Sequence, residues 1–271
     1  MPHILGADGA GVRSDSGDEV MIVPSLFWGD RPSAPGPRWE ILGDRIPGTY
    51  AEFVSVPESC LAPKPASWTW EEAAAFPLVG LTCFRALVTR GRLRAGESLL
   101  VLGASGGVAT AAVMLGCALG ATVCVTSSSA SKIANAKALG ASEGVLYLDA
   151  SWPEAARSLS PGGDGFDLVL DAVGAWVDAT RALRPGGRLV VLGATLGETA
   201  TLAIRPFYFG QFDLLGTTMG SEQDFAALLE LVRAGRVAPP IIDRIFRLDE
   251  AAAAHHHLES RRGFGKVVLA V

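Results

Sequence analysis

A turn almost free of side chains carries the first chemistry. After the apolar run at residues 99–102 come Gly103-Ala104-Ser105-Gly106-Gly107-Val108-Ala109, then a helix-length stretch of small and apolar residues. Such a turn lets the backbone bend sharply and lets an anion approach the N–H groups that open the helix. Ser105, Gly106, Gly107 and Val108 are therefore candidate ligands for a pyrophosphate. The next apolar run ends in Thr126-Ser127-Ser128-Ser129, with Lys132 in the first turn of the helix that follows. A site for a free ribose 2′-hydroxyl has an acidic residue there, which would repel a 2′-phosphate. Neutral hydroxyls and one ammonium suit that phosphate instead, so Thr126, Ser127, Ser128 and Lys132 favour NADP(H) over NAD. The serines serve equally as caps for a helix starting at Ala130, and the two readings are compatible.

These groups need a frame to hold them. Residues 98–140 read as strand, turn, helix, strand, loop, helix, the pattern of a dinucleotide-binding βαβ unit. The alternation continues with short strands at 144–148, 166–171 and 188–192 and helices at 153–159 and 177–183, which predicts a doubly wound parallel sheet covered on both faces. Ligands on such sheets lie beyond the carboxyl ends of the strands. Val173, in Asp171-Ala172-Val173-Gly174, and Gly193 and Thr195, in the next turn, fall at such ends and face the same crevice. Further helices are expected at 225–234 and 251–258, and a closing strand at 266–271.

The N-terminal residues 1–66 differ, with short apolar runs broken by Gly, Pro and Asp. Residues 17–23 and 48–56 each read as turn then strand, separated by a Pro/Gly-rich loop at 28–38. Pro63 and Pro65 mark a linker, and Thr69-Trp70-Glu71-Glu72 forms a capping box ahead of an alanine-rich helix. The expected division is 1–66, 67–240 and 241–271.

Composition excludes several classes. With 49% hydrophobic and 19% charged residues over 271 positions, the chain is that of a globular α/β protein able to bury a sizeable core. A net charge of -5 and no basic stripe argue against a nucleic-acid partner. Cys60, Cys83, Cys117 and Cys124 lack CxxC spacing, which points to reduced thiols and a cytoplasmic setting. Met1-Pro2-His3 opens no basic, apolar leader, and no apolar run is long enough for a membrane span.

The landmarks Ile4-Leu5-Gly6-Ala7-Asp8-Gly9-Ala10-Gly11, Gly17-Asp18-Glu19-Val20, Gly48-Thr49-Tyr50-Ala51-Glu52, Gly80-Leu81-Thr82, the glycine turn, Asp171-Ala172-Val173-Gly174 and Gly265-Lys266-Val267-Val268-Leu269 occur in this order. Together they resemble the medium-chain dehydrogenase/reductase superfamily, particularly its zinc-free quinone oxidoreductase-like members. The resemblance covers nearly the whole chain. It implies a GroES-like β-rich domain, a Rossmann domain for NADP(H) and a C-terminal return to the first domain near 241–271. Relative to the family the chain starts late, and its link at 12–16 is short, so the GroES-like part reads as incomplete. A start codon assigned too far downstream, a genuine truncation and a partner chain supplying the missing strands each account for this; upstream codons resembling the family's first strands are expected.

The resemblance also bears on the site. Zinc members use Cys, His/Glu and Cys for a catalytic metal and four cysteines for a structural one. Here Ala7-Asp8 stand where the His-Glu pair would be, Leu78 falls near the second cysteine's place, and the 28–38 loop has no cysteine, so no metal site is expected. His255-His256-His257 do not converge on a helix and read as a solvated face. By resemblance Tyr147 contacts the 2′-phosphate, Lys266 approaches the cofactor's phosphates and Thr82 lines the nicotinamide pocket. Thr82 reads equally as a helix-interior threonine bonded to its own backbone. Tyr50 is a weaker candidate, packed in the β domain on the other reading, and Phe207, Tyr208 and Phe209 belong to a pocket or to the core. Without a Lewis acid, hydride addition is easiest to a conjugated acceptor, whose charge spreads. The expected activity is NADPH-dependent, zinc-independent hydride transfer to a quinone or α,β-unsaturated carbonyl. A cofactor-binding module with little turnover is the alternative, and an alcohol dehydrogenase is disfavoured. A small-molecule substrate and a homodimer or homotetramer are expected.

Overall fold

The computed structural model describes residues 3–271 and forms two compact units; Met1 and Pro2 of the opening sequence lie outside the described residues. One unit comprises the chain up to Thr82 together with Met219–Val271, the other Cys83–Thr218. These limits differ from the sequence division at 66 and 240.

The second unit is a parallel sheet. Its elements in chain order are β1 (Ser98–Val101), α1 (Gly107–Ala118), β2 (Thr122–Ser127), α2 (Ala130–Ala138), β3 (Glu143–Leu146), α3 (Trp152–Ser158), β4 (Phe166–Asp171), α4 (Trp176–Ala182), β5 (Leu183–Val191), α5 (Ile204–Phe209) and β6 (Asp213–Gly216). The strands lie in the order β6-β5-β4-β1-β2-β3, all parallel. This order reverses between β1 and β4, the switch point at which doubly wound sheets hold ligands. β1 is buried on both faces because helices cover both, which explains its unbroken apolar run. Leu100, Cys124, Phe166, Val169, Leu183 and Leu189 pack into one core with Trp152 and Ala156 of α3. Gly116 lets α1 approach the sheet closely: a Cβ there would lie 2.8 Å from Leu99 Cδ2 and 2.9 Å from Val123 Cγ2.

In the first unit, Gly9–Val12, Glu19–Ile22 and Leu61–Pro63 form a three-stranded antiparallel sheet. Ile242–Arg247 and Lys266–Ala270 form a parallel pair, flanked by the helix Ala251–Glu259. Thr69 and Glu72 make the reciprocal capping box at the head of Trp70–Ala75. Trp68 stacks edge-on against Phe76 at 4.9 Å, and Phe76 meets Phe225 at 6.4 Å.

Two expectations need correction. The segment 48–56 forms no strand: the amides of Gly48, Thr49 and Tyr50 are taken by the carbonyls of Ile4, Gly6 and Leu5, so its bonding is spent on a local crossing of chains. Phe207, Tyr208 and Phe209 do not belong to the core; they sit on the short helix α5, none of whose residues is buried. The strand β6 was not foreseen, because Asp213-Leu214-Leu215-Gly216 is too short for alternation to reveal.

Candidate cofactor-binding site

The turn after β1 turns through Gly103 at φ +104°, a conformation that strains any side-chain-bearing residue. Its Gly103 N–H is bonded to Thr126 Oγ1 at 3.0 Å, which ties the turn to the end of β2. Gly106 is the N-cap of α1, with no side chain satisfying the amides behind it, and a Cβ at Gly106 would meet nothing within 4 Å. Amides opening a twelve-residue helix and facing open space form a cradle for a phosphate group. The residues present fit a dinucleotide's pyrophosphate.

The end of β2 is arranged similarly. Ser129 is the N-cap of α2 without a capping hydrogen bond from its side chain; its Oγ meets Ser131 Oγ at 2.8 Å instead. Ser127 Oγ accepts the Ser129 N–H at 3.2 Å. The serines thus leave the opening amides of α2 uncapped, and Lys132 stands in its first turn. Thr126 is buried, its hydroxyl engaged with Gly103. Tyr147 follows β3, its backbone N–H bonded to Ser127 O at 3.0 Å and its ring exposed.

Beyond β4, β5 and β6 lies a cavity of about 360 Å³ whose lining includes Gly174, Trp176, Gly193, Ala194, Gly197, Glu198 and Thr217. Gly193 is pressed so closely on Ala172 that a methyl group would overlap its carbonyl. Val173 and Thr195 flank this lining, and Leu196 N–H bonds to Val173 O at 2.8 Å. Ser105 to Val108, Ser128, Lys132, Tyr147, Val173, Gly193 and Thr195 therefore follow carboxyl ends of strands in one parallel sheet, and Thr126 and Ser127 form the last residues of β2. Trp176 and Thr217 escaped the sequence reading. Thr217 Oγ1 is buried without a partner; its only sequence signal is its place just after the unforeseen β6.

Asp171 ends β4. Its Oδ1 accepts the Val173 and Gly174 N–H groups, each at 2.8 Å, and its Oδ2 is buried without a partner. Burial pushes its carboxyl above the usual range, against the pull of those backbone amides.

Thr82 and Lys266 belong to the first unit. Thr82 is buried and its hydroxyl meets Met219 Sδ at 3.8 Å. Lys266 Nζ pairs with Asp8 Oδ2 at 2.8 Å, and Asp8 Oδ1 accepts the Leu78 N–H. Tyr50 is half-buried and its hydroxyl lies 3.3 Å from His255 Nε2. His257 pairs with Asp243 at 2.6 Å and His256 with Glu259 at 3.5 Å, so the three histidines point to three different partners rather than forming one solvated face. Among the described residues no group of three His, Cys, Asp or Glu side chains could hold a metal ion. The donor set of the described residues does not fit zinc. Burial pushes the Cys83 thiol up to about 12, too high for a thiolate nucleophile near neutrality.

A family model described as "Zinc-binding dehydrogenase" matches residues 107–234. The chain is 31% identical to the zinc-type alcohol dehydrogenase-like protein YogA of Leptosphaeria maculans, over 94% of this chain and 75% of that protein. It is 40% identical to a crystal structure of an NAD-dependent alcohol dehydrogenase, with a TM-score of 0.92 over 100% of this chain and 83% of the other. The chain belongs to the medium-chain dehydrogenase/reductase superfamily. That makes it an oxidoreductase of the nicotinamide-cofactor class, and the six-stranded parallel sheet is its Rossmann unit. Another superfamily structure, the 2-octenoyl-CoA carboxylase reductase CinF in complex with NADP and 2-octenoyl-CoA, is 27% identical with a TM-score of 0.88, over 99% of this chain and 68% of that one. No helix of the described residues is long and apolar enough to cross a membrane.

Proposed function

We propose that this oxidoreductase uses NADPH, without zinc, to reduce a conjugated acceptor, an α,β-unsaturated carbonyl or a quinone. The observation that carries the reading is the end of β2. It has no carboxylate to bind a ribose diol, but it does have three serines, Lys132 and the uncapped amides of α2. Those groups can hold a 2′-phosphate, with Tyr147 beside them, while Ser105, Gly106, Gly107 and Val108 hold the pyrophosphate. Val173, Gly193 and Thr195 would flank the nicotinamide; in the first unit, Thr82 and Lys266, the latter paired with Asp8, are the residues that the superfamily resemblance assigns to the cofactor. Bound there, the cofactor supplies hydride from C4 of its nicotinamide ring.

The acceptor class follows from the donor set. Asp8, the carboxylate at the zinc members' ligand position, is engaged by Lys266 and the Leu78 amide. Without a Lewis acid the site is best matched to an acceptor that delocalises its own charge, the balancing proton coming from water or a hydroxyl. The relative crystallised with NADP and an enoyl thioester supports this combination. A second reading, an NAD-dependent alcohol dehydrogenase, is favoured by the 40% identical structure. The third is a dinucleotide-binding module with little turnover. The four free cysteines support a reducing, cytoplasmic setting, and a homodimer or homotetramer is the assembly proposed.

The deciding assay follows NADPH and NADH oxidation with a quinone and with an enone, with and without a chelator. Turnover with NADPH that survives the chelator is expected. Activity with NADH alone, or activity lost to the chelator, points to the alcohol dehydrogenase reading. Tight binding without turnover on either acceptor favours the binding module.

A further inference from the structure

Asp171 is fully buried where β4 ends at the switch point of the sheet, yet none of its polar atoms belongs to an ion pair. Its backbone carbonyl accepts the Leu192 N–H at 3.0 Å, which fixes the end of β5. Its Oδ1 holds the Val173 and Gly174 amides at 2.8 Å each. Gly174 turns at φ +92°, and a Cβ there would lie 3.3 Å from Ala194 Cα, so this loop is packed against the turn after β5. Ala172 is pressed on Gly193 in the same way, and Leu196 N–H reaches Val173 O. Both turns border the 360 Å³ cavity through Gly174, Gly193 and Ala194. The carboxyl group therefore locks the wall at Val173 and Gly174, against which the turn after β5 packs. It does so at a cost, because its second oxygen is buried with no partner at all. A loop held only by packing would not need a buried carboxyl. What the carboxyl adds is direction, fixing two consecutive amides and the turn that follows them.

We propose that Asp171 is a positioning residue for the dinucleotide, acting through Val173 and Gly174 rather than by touching the cofactor. The inference rests on the dinucleotide-binding reading of the crevice. Asparagine can replace the one acceptor oxygen that makes both bonds, whereas alanine cannot. Asp171→Ala is expected to weaken NADPH binding about tenfold or more, and to speed hydrogen exchange at the Val173 and Gly174 amides by a similar factor. Asp171→Asn is expected to keep binding within about threefold of wild type and to keep both amides protected.

The experiment measures NADPH affinity by nicotinamide fluorescence and site-resolved amide exchange by NMR on the full chain and both variants. An alanine variant that binds like wild type overturns the proposal. So does an asparagine variant as weak as alanine. Should the alanine variant not fold, wild type decides with asparagine: unprotected Val173 and Gly174 amides in wild type overturn the positioning role, and protected amides with rescued affinity support it. Wild type that binds neither NADPH nor NADH overturns the dinucleotide reading itself, an outcome visible before any variant is made.

Discussion

Two aspartates on β4 meet opposite environments. Burial pushes the Asp167 carboxyl upward, but the Ser98 N–H and hydroxyl at 2.7 and 2.8 Å and Arg184 outweigh it, so the group is held below the ordinary range. A carboxyl lowered by folding contributes stability above its unfolded pKa and loses it as pH falls through the folded value. Asp167→Asn is expected to cost roughly 1–3 kcal/mol at neutral pH, a gap that narrows in acid and is read by urea unfolding at two pH values. Asp171 runs the other way, because burial without a charge partner raises it. Its contribution is greatest when protonated and is lost as pH rises from the ordinary carboxylate range through its raised value. Asp171→Asn cannot ionise, so its melting temperature should gain on wild type between acidic and neutral pH. On the NADPH reading proposed above, Lys132 would supply one charge-assisted contact to a 2′-phosphate and none to a ribose hydroxyl. Lys132→Ala should therefore raise the KM for NADPH about tenfold and leave NADH unchanged, as steady-state kinetics will show.

At the scale of elements, helix ends differ in whether a side chain caps them. The helices Trp70–Ala75 and Glu222–Arg233 open with complete capping boxes, Thr69 with Glu72 and Ser221 with Asp224. α1 and α2 have no side-chain cap. Capped ends are closed to ligands; uncapped ends at the carboxyl edge of a parallel sheet leave amides for an anion. Thr69→Ala should destabilise the chain by about 1 kcal/mol in thermal unfolding without changing dinucleotide affinity. Gly116 shows the sheet side of the same design. Its missing side chain admits Leu99 and Val123 against α1, so Gly116→Ala overpacks the helix–sheet contact and should cost about 1–3 kcal/mol by the same measurement.

For the whole molecule, the assembly proposal has a physical footing in the sheet edge. Among the described residues β6 pairs only with β5, leaving its outer edge open, and the neighbouring α5 exposes Ile204, Tyr208 and Phe209. An open strand edge beside uncovered apolar side chains is self-complementary about a two-fold axis. Light scattering should find a dimer or tetramer, and Phe209→Glu should shift it toward monomer while NADPH affinity holds. An assembly indifferent to that charge would move the interface elsewhere.

Much of the candidate site was legible as sequence because its signals are local. The glycine turn, the serine loop with Lys132 and the strand at 166–171 each depend on residues adjacent in the chain, where backbone freedom and alternation leave a readable pattern. The order of the landmarks carried the superfamily, and the alternation of strands and helices carried the parallel sheet. Tertiary structure decided what depends on partners far along the chain. It bonded the amides at 48–50 to residues 4–6 instead of a strand ladder, and left Tyr208 and Phe209 of α5 exposed. It revealed β6, and with it Thr217, because a four-residue strand is defined by the neighbour it pairs with. It also separated Asp167 from Asp171. The two are alike in sequence, four positions apart on one strand, and only the groups that folding brings to each carboxyl make one an anchor at the strand's start and the other a buried lock on the loop of Val173 and Gly174.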